Sequence, residues 1–155
     1  MLPKNQKIIC SILFIIYILI VLNLTVFRFN VSLDERQLNL TLFADLLHVY
    51  QNVGVVPFLR LFLGNIGWFI PFGFLLPMLL KNSSFIKIVT IAFMFSFFIE
   101  TSQFIFYKGV AELDDLILNT LGAAIGYFFF LLFIRLKNGY ILPSAKGQQK
   151  NPLQF

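Results

Sequence analysis

Apolar and polar residues follow one another along this chain in blocks. Four long apolar blocks, 8–27, 61–80, 88–106 and 116–134, are separated by short polar segments and one longer one. A helix needs about 20 predominantly apolar residues to cross a hydrocarbon core, and each block falls within roughly one residue of that length. The pattern predicts an all-α integral membrane protein, a four-helix transmembrane bundle folded as one domain over 1–155.

The first block follows Lys4 and Lys7. It is too long for the core of a signal peptide and no small-x-small cleavage pattern follows, so it reads as an uncleaved signal anchor. The second block carries no charge from Leu61 to Leu80 but contains Asn65, Gly67, Pro71, Gly73 and Pro77. Each proline lacks an N–H and collides with the carbonyl four residues back, here at Gly67 and Gly73. A bent span is expected, set inside a bundle where neighbours satisfy the freed carbonyls. Between these blocks, Leu42, Phe43, Leu46, Leu47 and Tyr50 recur at helical spacing with Asp45, His48 and Gln51 among them. That is the pattern of a short amphipathic surface helix, with Thr41 placed to cap it. After the fourth block, Arg135, Lys137, Lys146 and Lys150 stand in a stretch with Gly, Pro, Gln and Asn, and 138–155 is expected to be disordered.

Composition agrees with the blocks. Hydrophobic residues make up 59% and charged residues 12%, about half the charged share of a soluble domain. The net charge of +5 comes from residues scattered over tails and loops, so no nucleic-acid partner is expected. One cysteine, Cys10, and one histidine, His48, give no disulfide and no zinc, haem or iron–sulfur ligand set. No cofactor and no metal site are predicted, although carboxylates holding a hard cation stay open. Eight Lys and Arg residues lie on the side of the two termini and four on the other. That bias predicts both termini in the cytoplasm.

Within this orientation the polar residues of the spans gather at one depth. Glu100 lies six residues from the outer end of the third span, roughly 9 Å in at 1.5 Å per residue. Asn23, Asn65 and Asn119 lie at similar or shallower depth, and the inner half is Ile, Leu and Phe. An ionisable group inside a span is a functional candidate by default. Ser96, Glu100, Gln103 and Tyr107 share one helical face, and Asp115, Asn119, Gly122 and Gly126 share another with the same spacing. The third and fourth spans are therefore expected to pack together through the glycines. The candidate site is an outward-facing polar pocket with Glu100 as floor, Glu112, Asp114 and Asp115 as roof, Asn65 and Asn119 as walls, and Gln103 beside them. Pro71, Gly73, Gly122 and Gly126 are the packing residues, and the glycines of span four also offer a homo-oligomer contact. Simpler roles compete for single residues: Asn65 as interhelical glue, Asp115 as the cap of span four, Lys87 and Arg135 as interfacial anchors.

The residues also carry a resemblance. Asn65-Ile66-Gly67-Trp68-Phe69-Ile70-Pro71-Phe72-Gly73, the run Ser96 to Gln103, and Asp115-x-x-x-Asn119-x-x-Gly122 with Gly126 are similar to motifs of the VanZ-like family of small bacterial membrane proteins. Asn39-Leu40-Thr41-Leu42-Phe43 resembles a further motif, with Leu42 where proline is usual. Glu112 stands where aspartate is common, and Lys108 near a position where arginine is frequent. The resemblance covers about 8–133. It implies a bacterial cell membrane and a cell-envelope role, lowering susceptibility to lipid-bearing glycopeptides such as teicoplanin. It carries no settled reaction. The expected partner is a membrane lipid, a lipid-linked cell-wall component or a lipoglycopeptide, engaged by the pocket. Two alternatives stay open: a membrane enzyme acting on a lipid-linked headgroup at the outer leaflet, and a small transporter. No nucleophile–base pair or phosphate-binding loop supports the enzyme, and no polar path through the inner leaflet supports the transporter.

Overall fold

The computed structural model describes residues 3–27 and 32–141, with side chains through 137. Four long apolar helices able to span a membrane dominate it: α1 (Lys4–Thr25), α3 (Val55–Leu79), α4 (Phe85–Phe106) and α5 (Leu113–Ile141). A short helix α2 (Ala44–Asn52) lies in the long loop. Two residue pairs from distant loops, β1 (Leu38–Asn39) and β2 (Ala111–Glu112), form a minimal parallel bridge with Leu38 opposite Ala111.

α3 starts at Val55, ahead of the expected 61, so Arg60 belongs to its first turns. It continues as one helix through both Pro71 and Pro77. α4 starts where Ser84 caps it, its hydroxyl accepting the Lys87 N–H at 3.3 Å. α5 continues to Ile141, into the stretch expected to lack structure. The rest of the tail, with Lys146 and Lys150, lies outside the described residues, as does Arg28.

α3 and α5 form the closest pair. The space a Cβ would fill at Gly122 is taken by the carbonyl oxygen of Ile66, and at Gly126 by that of Ile70. At Gly73 the carbonyl of Ala123 stands in the same relation. The glycines of α5 therefore admit α3, not α4 as the spacing suggested. A small-residue stripe states that a backbone comes close; it does not say whose. This contact also places the glycine stripe inside the protomer.

Around it sits an aromatic core in which Phe72 stacks on Phe95 at 5.3 Å and on Phe69 at 5.7 Å between ring centroids. Ile88, Ala92, Ile99 and Ala123 complete it, all fully or almost fully buried. α1 is attached to this core by one side only. Phe14 meets Phe72 at 5.5 Å, and the Tyr17 hydroxyl donates to the Trp68 carbonyl at 2.6 Å. Within α1 only Val21 is buried; the remaining apolar surface suits lipid.

α2 corrects one expectation. It begins at Ala44, so Thr41 does not cap it: the Thr41 N–H and hydroxyl both bond the Asn39 side chain instead. Of its apolar stripe only Leu46 is buried, against Ile66 and Leu118. Tyr50 meets Phe58 edge-on at 5.6 Å, fixing α2 against α3.

Candidate functional site

At the end of the bundle where α1 and α4 finish and α3 and α5 begin, the four helices leave a cavity of about 540 Å³. Its polar lining comes from helical spacing. On α4, Glu100 and Gln103 are one turn apart, with fully buried Ser96 one turn deeper. On α5, Asp115 and Asn119 are likewise one turn apart, and Asn65 projects from α3. The apolar lining comes from Trp68 and Phe69 of α3 and Ile99 of α4. The end of α1 adds Val21, Asn23, Leu24 and Thr25, with Phe27 just beyond.

Each polar residue also ties two elements together. Asn119 Nδ2 donates to Ser96 Oγ at 2.9 Å, joining α5 to α4. Asn65 Nδ2 donates to Asp115 Oδ1, joining α3 to α5. The Glu112 N–H donates to Glu100 Oε2 at 3.0 Å, so the last loop is fastened to α4. Gln103 Nε2 reaches the Thr25 carbonyl at 3.4 Å, at the end of α1. Gln103 Oε1 is shielded from solvent and has no hydrogen-bond partner. Buried polar atoms are nearly always satisfied, which makes this oxygen an exception among the described buried side chains.

Of the seven residues picked from the sequence, five line this cavity: Asn65, Glu100, Gln103, Asp115 and Asn119. Asp114 and Glu112 do not. Asp114 is 2% exposed, and its two oxygens accept the Phe43 N–H at 2.8 and 3.0 Å. Phe43 has φ 55° at the start of α2, a left-handed conformation that costs a non-glycine residue about 1–3 kcal/mol. Asp114 holds it there and so docks the long loop on α5. Asp115 does not act as the cap of α5: it stands in the first turn with its carboxylate on Asn65. Neighbouring positions on a helix point about 100° apart, so the two aspartates diverge.

Glu112 contributes its backbone to the site, and its side chain lies at the margin. Burial, followed by the negative charges of Asp115, Asp45 and Asp114, pushes its carboxyl up to about 7. Among the described residues no three His, Cys, Asp or Glu side chains gather as metal ligands. Asp114 and Asp115 turn to different partners, the Phe43 N–H and Asn65.

Depth counting placed Asn23 of α1 with the other polar residues, and it lines the cavity; Leu24 and Phe27 beside it look like any other span residues. Sequence spacing missed how the loops close over this end. The Leu33 N–H donates to the Tyr107 carbonyl at 2.9 Å and the Ala111 N–H to the Gln37 carbonyl at 3.0 Å. The Arg36 guanidinium lies over the rings of Tyr107 and Phe104, at 5.2 and 5.7 Å, a cation–π arrangement.

A family model described as VanZ/LLP1 matches residues 14–134. No curated protein and no solved structure matches the chain. The family match takes in most of α1, all of α2 to α4 and every residue that lines the cavity. The chain belongs to the VanZ/LLP1 family of membrane proteins.

Proposed function

We propose that this protein is a bacterial cell-envelope component that engages an amphiphilic or lipid-linked molecule in the cavity between α1, α3, α4 and α5, and thereby lowers susceptibility to lipid-bearing glycopeptides such as teicoplanin. The observation that carries the reading is the lining itself. Asn23, Asn65, Glu100, Gln103, Asp115 and Asn119, from four helices, share one cavity with Trp68, Phe69, Leu24 and Phe27. Binding sites for small molecules combine an apolar wall with a few convergent polar groups. An amphiphile matches both parts, with its polar end at Glu100 and its chain along the aromatic side.

The orientation belongs to the same proposal. With eight Lys and Arg residues on the side of the termini and four on the other, the termini are cytoplasmic. The cavity then opens at the outer leaflet, where lipid-linked cell-wall precursors and lipoglycopeptides are met. α1, held to the bundle on one side, borders the cavity along the lipid. An amphiphile already in the membrane has a short route in.

The test is the Glu100→Gln variant, expressed in a susceptible host beside the wild type at matched membrane levels. Glu100→Gln keeps the size and one acceptor but removes the charge. The expected outcome is loss of the teicoplanin protection that the wild type gives, with unchanged protein in the membrane fraction. Full protection by Glu100→Gln, or none by the wild type, would overturn the reading.

A further inference from the structure

The described lining of the cavity brings two carboxylates together with an unpartnered buried amide oxygen. Asn65 directs its amide nitrogen at a carboxylate, Asp115, and Gln103 directs its own at a backbone carbonyl, that of Thr25. Both partners only accept, so neither amide can be turned round, and both side-chain oxygens are left over. Asn119 gives its nitrogen to the Ser96 hydroxyl. Glu100 and Asp115 each have one oxygen engaged, by the Glu112 N–H and by Asn65. What remains for an occupant includes, beside the second N–H of each amide, the Asn23 side chain and the Trp68 indole, the free carboxylate oxygens and Gln103 Oε1, which is shielded and unpartnered on a residue only 9% exposed. Among the described residues that line the cavity none is Lys, Arg or His.

Among the described lining residues an anionic headgroup meets two carboxylates and no cationic side chain. Phosphates are held by Arg, Lys or open helix N-termini. The only helix N-terminus bordering the cavity beside Asp115, that of α5, is already faced by Asp114 and Asp115 of its own first turn. A cationic head with several N–H donors fits on both counts. We infer that the cavity takes the primary ammonium group of an amphiphile, hydrogen-bonded by Glu100, Asp115 and Gln103, with the alkyl chain lying against Trp68 and Phe69. This rests on the amphiphile-binding reading above and names the headgroup it selects. An ammonium offers three donors, matching those three acceptor side chains, and its charge offsets one of the two carboxylates that α4 and α5 bring together.

Trp68 is the single tryptophan of the chain and lines the cavity, so its emission reports occupancy. Full-length protein in a maltoside detergent, whose sugar head presents hydroxyl donors in excess, is titrated with dodecylammonium, dodecyltrimethylammonium and dodecyl phosphate. Sodium, potassium, magnesium and calcium chlorides are titrated alone. The expected result is a saturable change with dodecylammonium. Dodecyltrimethylammonium, which has the charge and no N–H, binds about tenfold or more weaker, as expected for lost charge-assisted hydrogen bonds. Dodecyl phosphate and the chlorides give no saturable change. Glu100→Gln weakens dodecylammonium by about tenfold, and Gln103→Glu, which keeps the length and adds charge, tightens it. Circular dichroism confirms the helical content of each variant. Equal or tighter binding of dodecyl phosphate or of the trimethylammonium analogue overturns the headgroup assignment and leaves amphiphile binding standing. A saturable response to a metal chloride alone overturns it in favour of an inorganic cation. Saturable binding of none of the amphiphiles removes the reading on which it rests.

Discussion

Gly122→Ala is the most informative single change in the framework that builds the cavity. The added methyl would overlap the Ile66 carbonyl oxygen and lie 2.9 Å from its carbon and 3.1 Å from its Cα. Carbon atoms prefer about 3.5–4.0 Å, and the obstacle is backbone, which has no rotamer to change. α3 and α5 must part by roughly 1 Å, the shortfall against that distance. Overpacking of a close interface costs about 1–3 kcal/mol. Asn65 precedes Ile66 on α3, so the same separation stretches its bond to Asp115, adding about 1 kcal/mol. Gly67 is the control: a Cβ there meets nothing within 4 Å, and Gly67→Ala gains up to about 1 kcal/mol from helix propensity. Unfolding by sodium dodecyl sulfate in mixed micelles, followed by circular dichroism, measures both. Gly122→Ala should unfold clearly earlier than the wild type and Gly67→Ala no earlier. Coincident midpoints for Gly122→Ala and Gly67→Ala would refute the α3–α5 contact.

Three further outcomes are expected. Asp114→Ala leaves the Phe43 N–H without the acceptor it has at 2.8 Å, a loss of about 1–3 kcal/mol; hydrogen exchange over 43–52 should accelerate about tenfold, and unchanged exchange would contradict the anchor. The Glu112 carboxyl, raised from 4.5 to about 7 by burial and then by its acidic neighbours, holds its proton longer in the folded protein than in the unfolded one. Its ionisation therefore lowers stability as pH rises from about 4.5 to about 7 and no further above that. Glu112→Gln should lack this fall, whereas pH profiles parallel to the wild type across that window would dismiss it. Tyr127→Phe removes the bond to the Ser83 carbonyl at 3.0 Å and should cost about 1 kcal/mol of stability; weaker dodecylammonium binding without a matching stability loss would count against its placement at the far end of the bundle.

The spans were legible because a membrane crossing leaves a long apolar run. So was the meeting of Glu100 with Asn119 and Asn65: depth along a span and spacing around it are both countable. What spacing does not carry is the identity of the partner. The Gly122–Gly126 stripe announced a close backbone, and the structure assigns it to α3. Asp114 and Asp115 are adjacent in sequence and looked alike, yet one faces the cavity and the other fixes Phe43. That division follows from the positive φ of Phe43, a conformation with no residue-type signal when glycine is absent. The bridge of Leu38–Asn39 with Ala111–Glu112 is too short for a period of two to appear. α1 offered no polar stripe at all, and its part in the cavity comes from where Tyr17 and Phe14 hold it.

Occupancy of the cavity by an amphiphile in a native membrane is tested most directly by photolabelling. A long-chain alkylamine carrying a diazirine near its head is added to membranes containing the protein, irradiated, and the adducts are mapped by mass spectrometry. The expected adducts fall on Leu24, Phe27 and Trp68, which line the cavity, and they disappear in Glu100→Gln. Adducts spread evenly over the exposed row of Phe128, Phe129 and Leu132, unchanged by Glu100→Gln, would contradict it.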